Sequence, residues 1–118
     1  MSPCQRFEVA PDRLAVRRAR AQVRALADLP VEVVRDAELV VSELVANSVL
    51  HARLEPEDRI DVALCCEDHR LTIVVDDHHG FTRGRSNRGG LGFRVLDALC
   101  EQWSAQQGRV RAVLALPR

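Results

Sequence analysis

The chain has no lysine, no tyrosine and a single tryptophan, and aromatic residues make up only 3% of its 118 positions. A core built from it must be aliphatic, packed from Val, Leu, Ile and Ala. All 17 basic residues are Arg, and 17 acidic residues balance them. A net charge of zero gives no electrostatic reason for non-specific nucleic-acid binding. No apolar run approaches the ~20 residues of a membrane span, and the N-terminus lacks the apolar segment of a secretory signal. A soluble, cytoplasmic protein is expected. The four cysteines, Cys4, Cys65, Cys66 and Cys100, form no C-x-x-C pair. Adjacent Cys65 and Cys66 would point to opposite faces of a strand. They are expected to be small buried or half-buried hydrophobes in a reducing compartment. There is no internal repeat and no linker. Residues 1–118 are expected to form one domain, large enough to bury roughly two thirds of its unfolded surface.

What is present is a sequence of alternating element types. Residues 5–9, "QRFEV", suit a short strand. "APDRLAVRRARAQVRALADL" reads as a helix, with Pro11 and Asp12 at its start and five Arg outside its apolar positions. Pro30 opens a second helix reaching about Ala52. "IDVALCCE" and "LTIVVD" read as a hairpin of strands. Residues 77–90, "DHHGFTRGRSNRGG", read as a long flexible loop, of the kind that in a compact domain is usually functional or disordered. "LGFRVLDALCEQW" is predicted as a helix with Leu91, Val95, Leu96, Leu99 and Trp103 inward, and "RVRAVLALP" as a last strand. The order β-α-α-β-β-loop-α-β predicts an α+β two-layer sandwich: a mixed, mostly antiparallel sheet with about three helices on one face.

The second helix carries a chemical anomaly. In "VVSELVANSVLHA", Glu43, Asn47 and His51 recur every four residues. At about 100° per residue they form a slanted row about 80° wide on a helix otherwise apolar nearly all round. Either the row faces solvent at the edge of the sandwich, or it lines a cleft where a ligand supplies the polar partners. In a cleft, a carboxylate serves as a general base and an amide oxygen suits Mg²⁺ beside phosphate.

Together with "VVDDHHG" (residues 74–80) and "RGGLGFRVLDAL" (residues 88–99), this segment resembles the three nucleotide-binding boxes of the GHKL, or Bergerat-fold, ATPases. That superfamily includes DNA gyrase B subunits, sensor histidine kinases and bacterial anti-sigma-factor kinases. The Glu-x-x-x-Asn-x-x-x-His-Ala pattern, the box order and the short chain are most similar to the last group, over residues 5–117. The resemblance implies ATP and Mg²⁺ as ligands, with Glu43 as general base and Asn47 as metal ligand. It implies Asp76 as the carboxylate that accepts a hydrogen bond from the adenine amino group. Gly80 corresponds to the second glycine of the Asp-x-Gly-x-Gly box. Gly90 and Gly92, with Leu91 between them, belong to the lid box at the start of a helix, where free backbone N–H groups meet phosphate. Arg88 replaces the first lid glycine; with Arg83 and Arg85 it either offers guanidinium groups to phosphates or belongs to a solvated mobile loop.

Two other positions depart from the pattern. His78 replaces the first glycine of the adenine box and is expected to crowd the base. Val110 replaces a threonine and lacks its hydroxyl. The leading expectation is therefore an anti-sigma factor that phosphorylates a Ser or Thr of an antagonist protein and also binds a sigma factor. A homodimer is a further expected state, by analogy with relatives. The alternative is a non-catalytic module of the same fold that acts by partner binding alone. A detached ATPase domain of a histidine-kinase relay fits less well, because no helix pair carrying a phosphoacceptor His is present. A metal site of His51, His78 and His79 with a Cys matches no standard zinc spacing.

Overall fold

The computed structural model describes residues 4–26, 28–79 and 93–117. Its elements run β1 (Cys4–Val9), α1 (Ala15–Arg24), α2 (Val31–His51), β2 (Ile60–Glu67), β3 (Arg70–Asp76), α3 (Phe93–Leu99), β4 (Gln102–Gln106) and β5 (Arg109–Ala115). Among the described residues the strands form one five-stranded sheet in the order β1-β2-β3-β5-β4. Every pairing is antiparallel, so the sheet contains no parallel step where a mixed one was expected.

Local chemistry accounts for the turns. The β2–β3 hairpin turns through Asp68 and His69, at φ 52° and 60°. The β4–β5 hairpin turns through Gln107 and Gly108, at φ 42° and 87°. Two successive left-handed residues match the right-handed twist of the flanking strands, and Asp, His and Gly tolerate that region. Helix α1 is shorter than the expected span. Asp12 accepts a hydrogen bond from the Leu14 N–H (2.9 Å) in a turn that precedes the first helical residue. Its buried line, Ala15, Ala19 and Val23, has four-residue spacing and small side chains, so α1 lies close against α2. Arg20 and Arg24 reach Glu38 of α2 at 3.4 and 3.1 Å, exposed pairs of the kind that contribute little to stability.

The core lies between α2 and one face of the sheet. Val40, Val41, Leu44 and Val45 of α2 meet Val62, Leu64, Leu71, Ile73, Val75, Ala112 and Leu114 of the strands. Leu96 of α3 completes it. As the aromatic-poor composition implied, it is almost wholly aliphatic.

Two expectations are corrected here. The helix expected over 91–103 stops at Leu99, and residues 102–106 form β4 instead. The Cys100 N–H closes the helix on Leu96 O, and the Glu101 N–H already bonds Val113 O of β5. Trp103 does turn inward, but from a strand. Its ring stacks on Phe93 with centroids 4.8 Å apart, and its Nε1–H donates to Asp97 Oδ1 at 2.9 Å. The cysteines are also not all separate hydrophobes. Cys4 lies directly opposite Cys65 in the β1–β2 register, and the two form a disulfide across 61 residues of chain. Cys66 and Cys100 are free. Burial pushes the Cys100 thiol up to about 11 and raises that of Cys66, so neither supplies a thiolate at neutral pH. Among the described residues no helix is long and apolar enough to cross a membrane.

Candidate functional site

Strand β3 places two successive aspartates on opposite sides of the sheet. Leu71, Ile73 and Val75 are buried toward the helices, and the alternation continues to Asp77, only 1% exposed. The Asp77 N–H donates to Gly108 O at 2.9 Å. That bond carries the β3–β5 pairing one step past Asp76, which lies opposite Arg109. The Asp77 carboxylate is thereby held under α2. Ser48 Oγ–H donates to its Oδ2 at 2.7 Å, and the His79 backbone N–H donates to its Oδ1 at 2.9 Å.

Leu44, Asn47 and Ser48 share one face of α2 by their three- and four-residue spacing. With Val75, Asp77, Gly108 and Val110 they line a cavity of about 250 Å³. Leu44, Val75, Ala105 and Val110 give it apolar wall, and Gln106, Gln107 and Arg109 add polar lining to that of Asn47, Ser48 and Asp77. Asn47 is buried, and among the described residues its side-chain Nδ2 has no hydrogen-bond partner. A buried amide left in that condition is costly, which marks it as a group awaiting a partner. Ligand pockets usually enclose ~300–1,000 Å³, so the described part of this one suits a flat heterocycle rather than a whole nucleotide.

Of the residues singled out in the sequence, Asn47 and Val110 line this cavity. Glu43 is half-buried, one helical turn before Asn47, and is not part of the lining; His51 is exposed at the end of α2. Gly80, Arg88, Gly90, Leu91 and Gly92, with Phe81, Arg83 and Arg85, lie outside the described residues. Asp76 does not join Asn47. It lies on the opposite face, in an open depression of about 450 Å³ that also contains Arg6, Glu8, Asp61 and Arg109. The reason is the two-residue period of a strand: Asp76 follows Thr72 and Val74 outward, whereas Asp77 follows Val75 inward. Asp77 is the cavity-lining carboxylate that the sequence reading passed over. The alternation Leu71, Ile73, Val75, Asp77 was the signal that could have found it.

His78 does not crowd the cavity. It sits at φ 67°, a region where glycine is usual, and this sends its ring to the open face. Its Nε2 lies 2.7 Å from Asp61 Oδ2, and its Nδ1 lies 3.5 Å from Asp76 Oδ1. The hydrogen bond to Asp61 raises the imidazole pKa, partial burial opposes this, and the charges of Asp76, Asp61 and Asp77 add to the rise. With Asp77 as the box carboxylate, the two glycine positions fall on His79 and Phe81. The His79 imidazole Nε2 lies 3.3 Å from Asp58 Oδ2 and does not enter the cavity.

Helices stacked on one face of an antiparallel sheet, with a buried aspartate at a strand end beneath an Asn-bearing helix, define a two-layer α+β domain with a cavity between its layers. Residues 7–116 match the histidine kinase-like ATPase domain family, and the chain belongs to that family. Domains of this kind bind ATP generally, usually with Mg²⁺. A comparison with curated proteins finds no match.

Proposed function

We propose that this chain binds Mg-ATP with the adenine in the cavity beneath α2, and that Asp77, rather than Asp76, receives the adenine amino group. The observation that carries the reading is the buried Asp77 carboxylate, which takes donors from Ser48 and His79 and lines the cavity under α2. A carboxylate is an acceptor only, and each oxygen takes more than one hydrogen bond. An N–H of the base is complementary to such an acceptor. Val75, Val110 and Leu44 supply flat apolar contact. Asn47 offers its amide oxygen as a hard ligand for Mg²⁺, and Mg²⁺, when bound, neutralises phosphate charge. Glu43 would act as the base that takes the proton of an attacking hydroxyl. Calorimetric titration with Mg-ATP tests the binding step. No heat at millimolar ATP from correctly folded protein would sink the proposal.

We further propose that the activity is that of an anti-sigma regulatory kinase. It would transfer phosphate to a Ser or Thr of an antagonist protein and thereby control the availability of a sigma factor. The Glu-Asn-His pattern of α2, the box order and the short chain support this reading. Its test is phosphate incorporation into such an antagonist, with Glu43→Gln as the comparison; transfer undiminished in Glu43→Gln would remove that residue from the role of base. Val110 and His79 favour a second reading, a binding module that regulates partners without transfer. On that reading Glu43→Ala leaves sigma-factor and antagonist binding unchanged and no phosphoprotein forms.

A further inference from the structure

We propose that Ser48 sets the base preference of this cavity by holding the Asp77 carboxylate in an orientation that accepts an exocyclic amino group. The inference rests on the ATP reading above and assigns a role to a residue outside the Glu-x-x-x-Asn-x-x-x-His pattern. Ser48 is 4% exposed. Its hydroxyl has one hydrogen, which is committed to Asp77 Oδ2 at 2.7 Å across 29 residues of chain. The other carboxylate oxygen takes the His79 backbone N–H at 2.9 Å. The two donors sit on different oxygens, and the Ser48 bond is the one that ties Oδ2 to α2.

The consequence is chemical selectivity. Asp77 lines the cavity together with Asn47 and Ser48, and a carboxylate is an acceptor only. A purine with a 6-amino group supplies the matching N–H. A purine with a 6-carbonyl sets lone pairs against lone pairs, and one with only hydrogen at that position leaves the acceptor unpaired. Ser48 is a positioning residue: it acts through Asp77 and needs no contact with the base. Its place immediately after Asn47 puts the groups for metal and base on neighbouring faces of a single turn of α2.

The experiment compares two Mg-nucleotides, ATP and purine riboside triphosphate, which has the same sugar and phosphates but no 6-amino group. Affinities are measured by calorimetry for wild type, Ser48→Ala and the volume-conserving Ser48→Cys, whose thiol is a weak donor. Thermal unfolding verifies each fold, and either variant suffices if the other fails to fold. Wild type is expected to prefer ATP by about tenfold or more, a preference that each variant largely loses through weaker ATP binding. Affinity for the deaminated nucleotide is expected to change by less than about twofold. A merely structural role would weaken both nucleotides equally, and an unchanged preference would likewise overturn the inference; in both cases the ATP reading stands. Wild type that binds neither nucleotide overturns the ATP reading and this inference with it.

Discussion

Asp76 and Asp77 are chemically identical neighbours that the strand sends into opposite environments. Asp76 belongs to a water-exposed charge network: it lies opposite Arg109 and close to the His78 ring, which in turn bonds Asp61. Solvent and neighbouring charges can substitute for any one member of that network. Asp77 is 1% exposed and takes specific donors from Ser48 and His79. Its environment cannot adjust in the same way, so a partner entering the cavity must match it. The difference teaches that strand parity, rather than place within a short motif, decides which aspartate faces the cavity.

The two faces can be separated experimentally. The largest expected effect is on stability and belongs to the open face. Replacing Cys4 and Cys65 by Ser is expected to lower the unfolding free energy by about 2–4 kcal/mol, because the unfolded chain is no longer cross-linked. Urea denaturation would measure the loss, and the Mg-ATP affinity of the folded protein should be unaltered. Next is Asp77→Ala, expected to weaken Mg-ATP by about 100-fold, the scale of a lost hydrogen bond to a charged group. Asp76→Ala in the same titration should change affinity by less than about twofold. If the order of the two aspartates were reversed, the assignment of faces to functions would fail.

The smallest effect concerns His78. Its pKa is raised in the folded state, first by the hydrogen bond to Asp61. Its contribution to stability is therefore full below the ordinary imidazole value of about 6.5 and is lost as pH rises through the raised folded value. The group is largely exposed, so the contribution should stay below about 1 kcal/mol. Wild type should exceed His78→Gln in unfolding free energy at acidic pH, and the gap should narrow on the alkaline side. A gap that widens with pH would contradict the charge-pair account. With nucleotide assigned to the other face by our proposal, Mg-ATP affinity should not follow this titration.

Much of this architecture was legible in residue patterns. The alternation of "LTIVVD", the β-branched content of β2 and β3, and the all-round apolar character of α2 located most of the sheet and the central helix. Asn47 stood out because an amide is poorly placed in an apolar helix, and the structure buries it at a cavity. Other features depend on distance in space. Trp103 fits the helical spacing of Val95, Leu96 and Leu99, yet reaches Phe93 from a strand, and no local period distinguishes those cases. Cys4 and Cys65 meet only because β1 and β2 adopt one register across 61 residues of sequence. Asp77 was in principle visible, since one more step of alternation reaches it. The motif template placed the carboxylate at the last residue of the apolar run, and that is what obscured it.

The disulfide has a mechanical consequence. It closes a covalent ring from Cys4 to Cys65 that contains β1, α1, all of α2 and most of β2. Tension applied to the chain on either side of that ring would pass through the sulfur bridge and bypass everything inside it. Glu43, Asn47 and Ser48 are within the ring, whereas Asp77, Gly108 and Val110 are outside. A pulling force would therefore open the cavity along the seam between α2 and the β3–β5 strand ends, with α2 still carried as a tethered unit. The two halves of the site would separate before either lost its own chain connectivity.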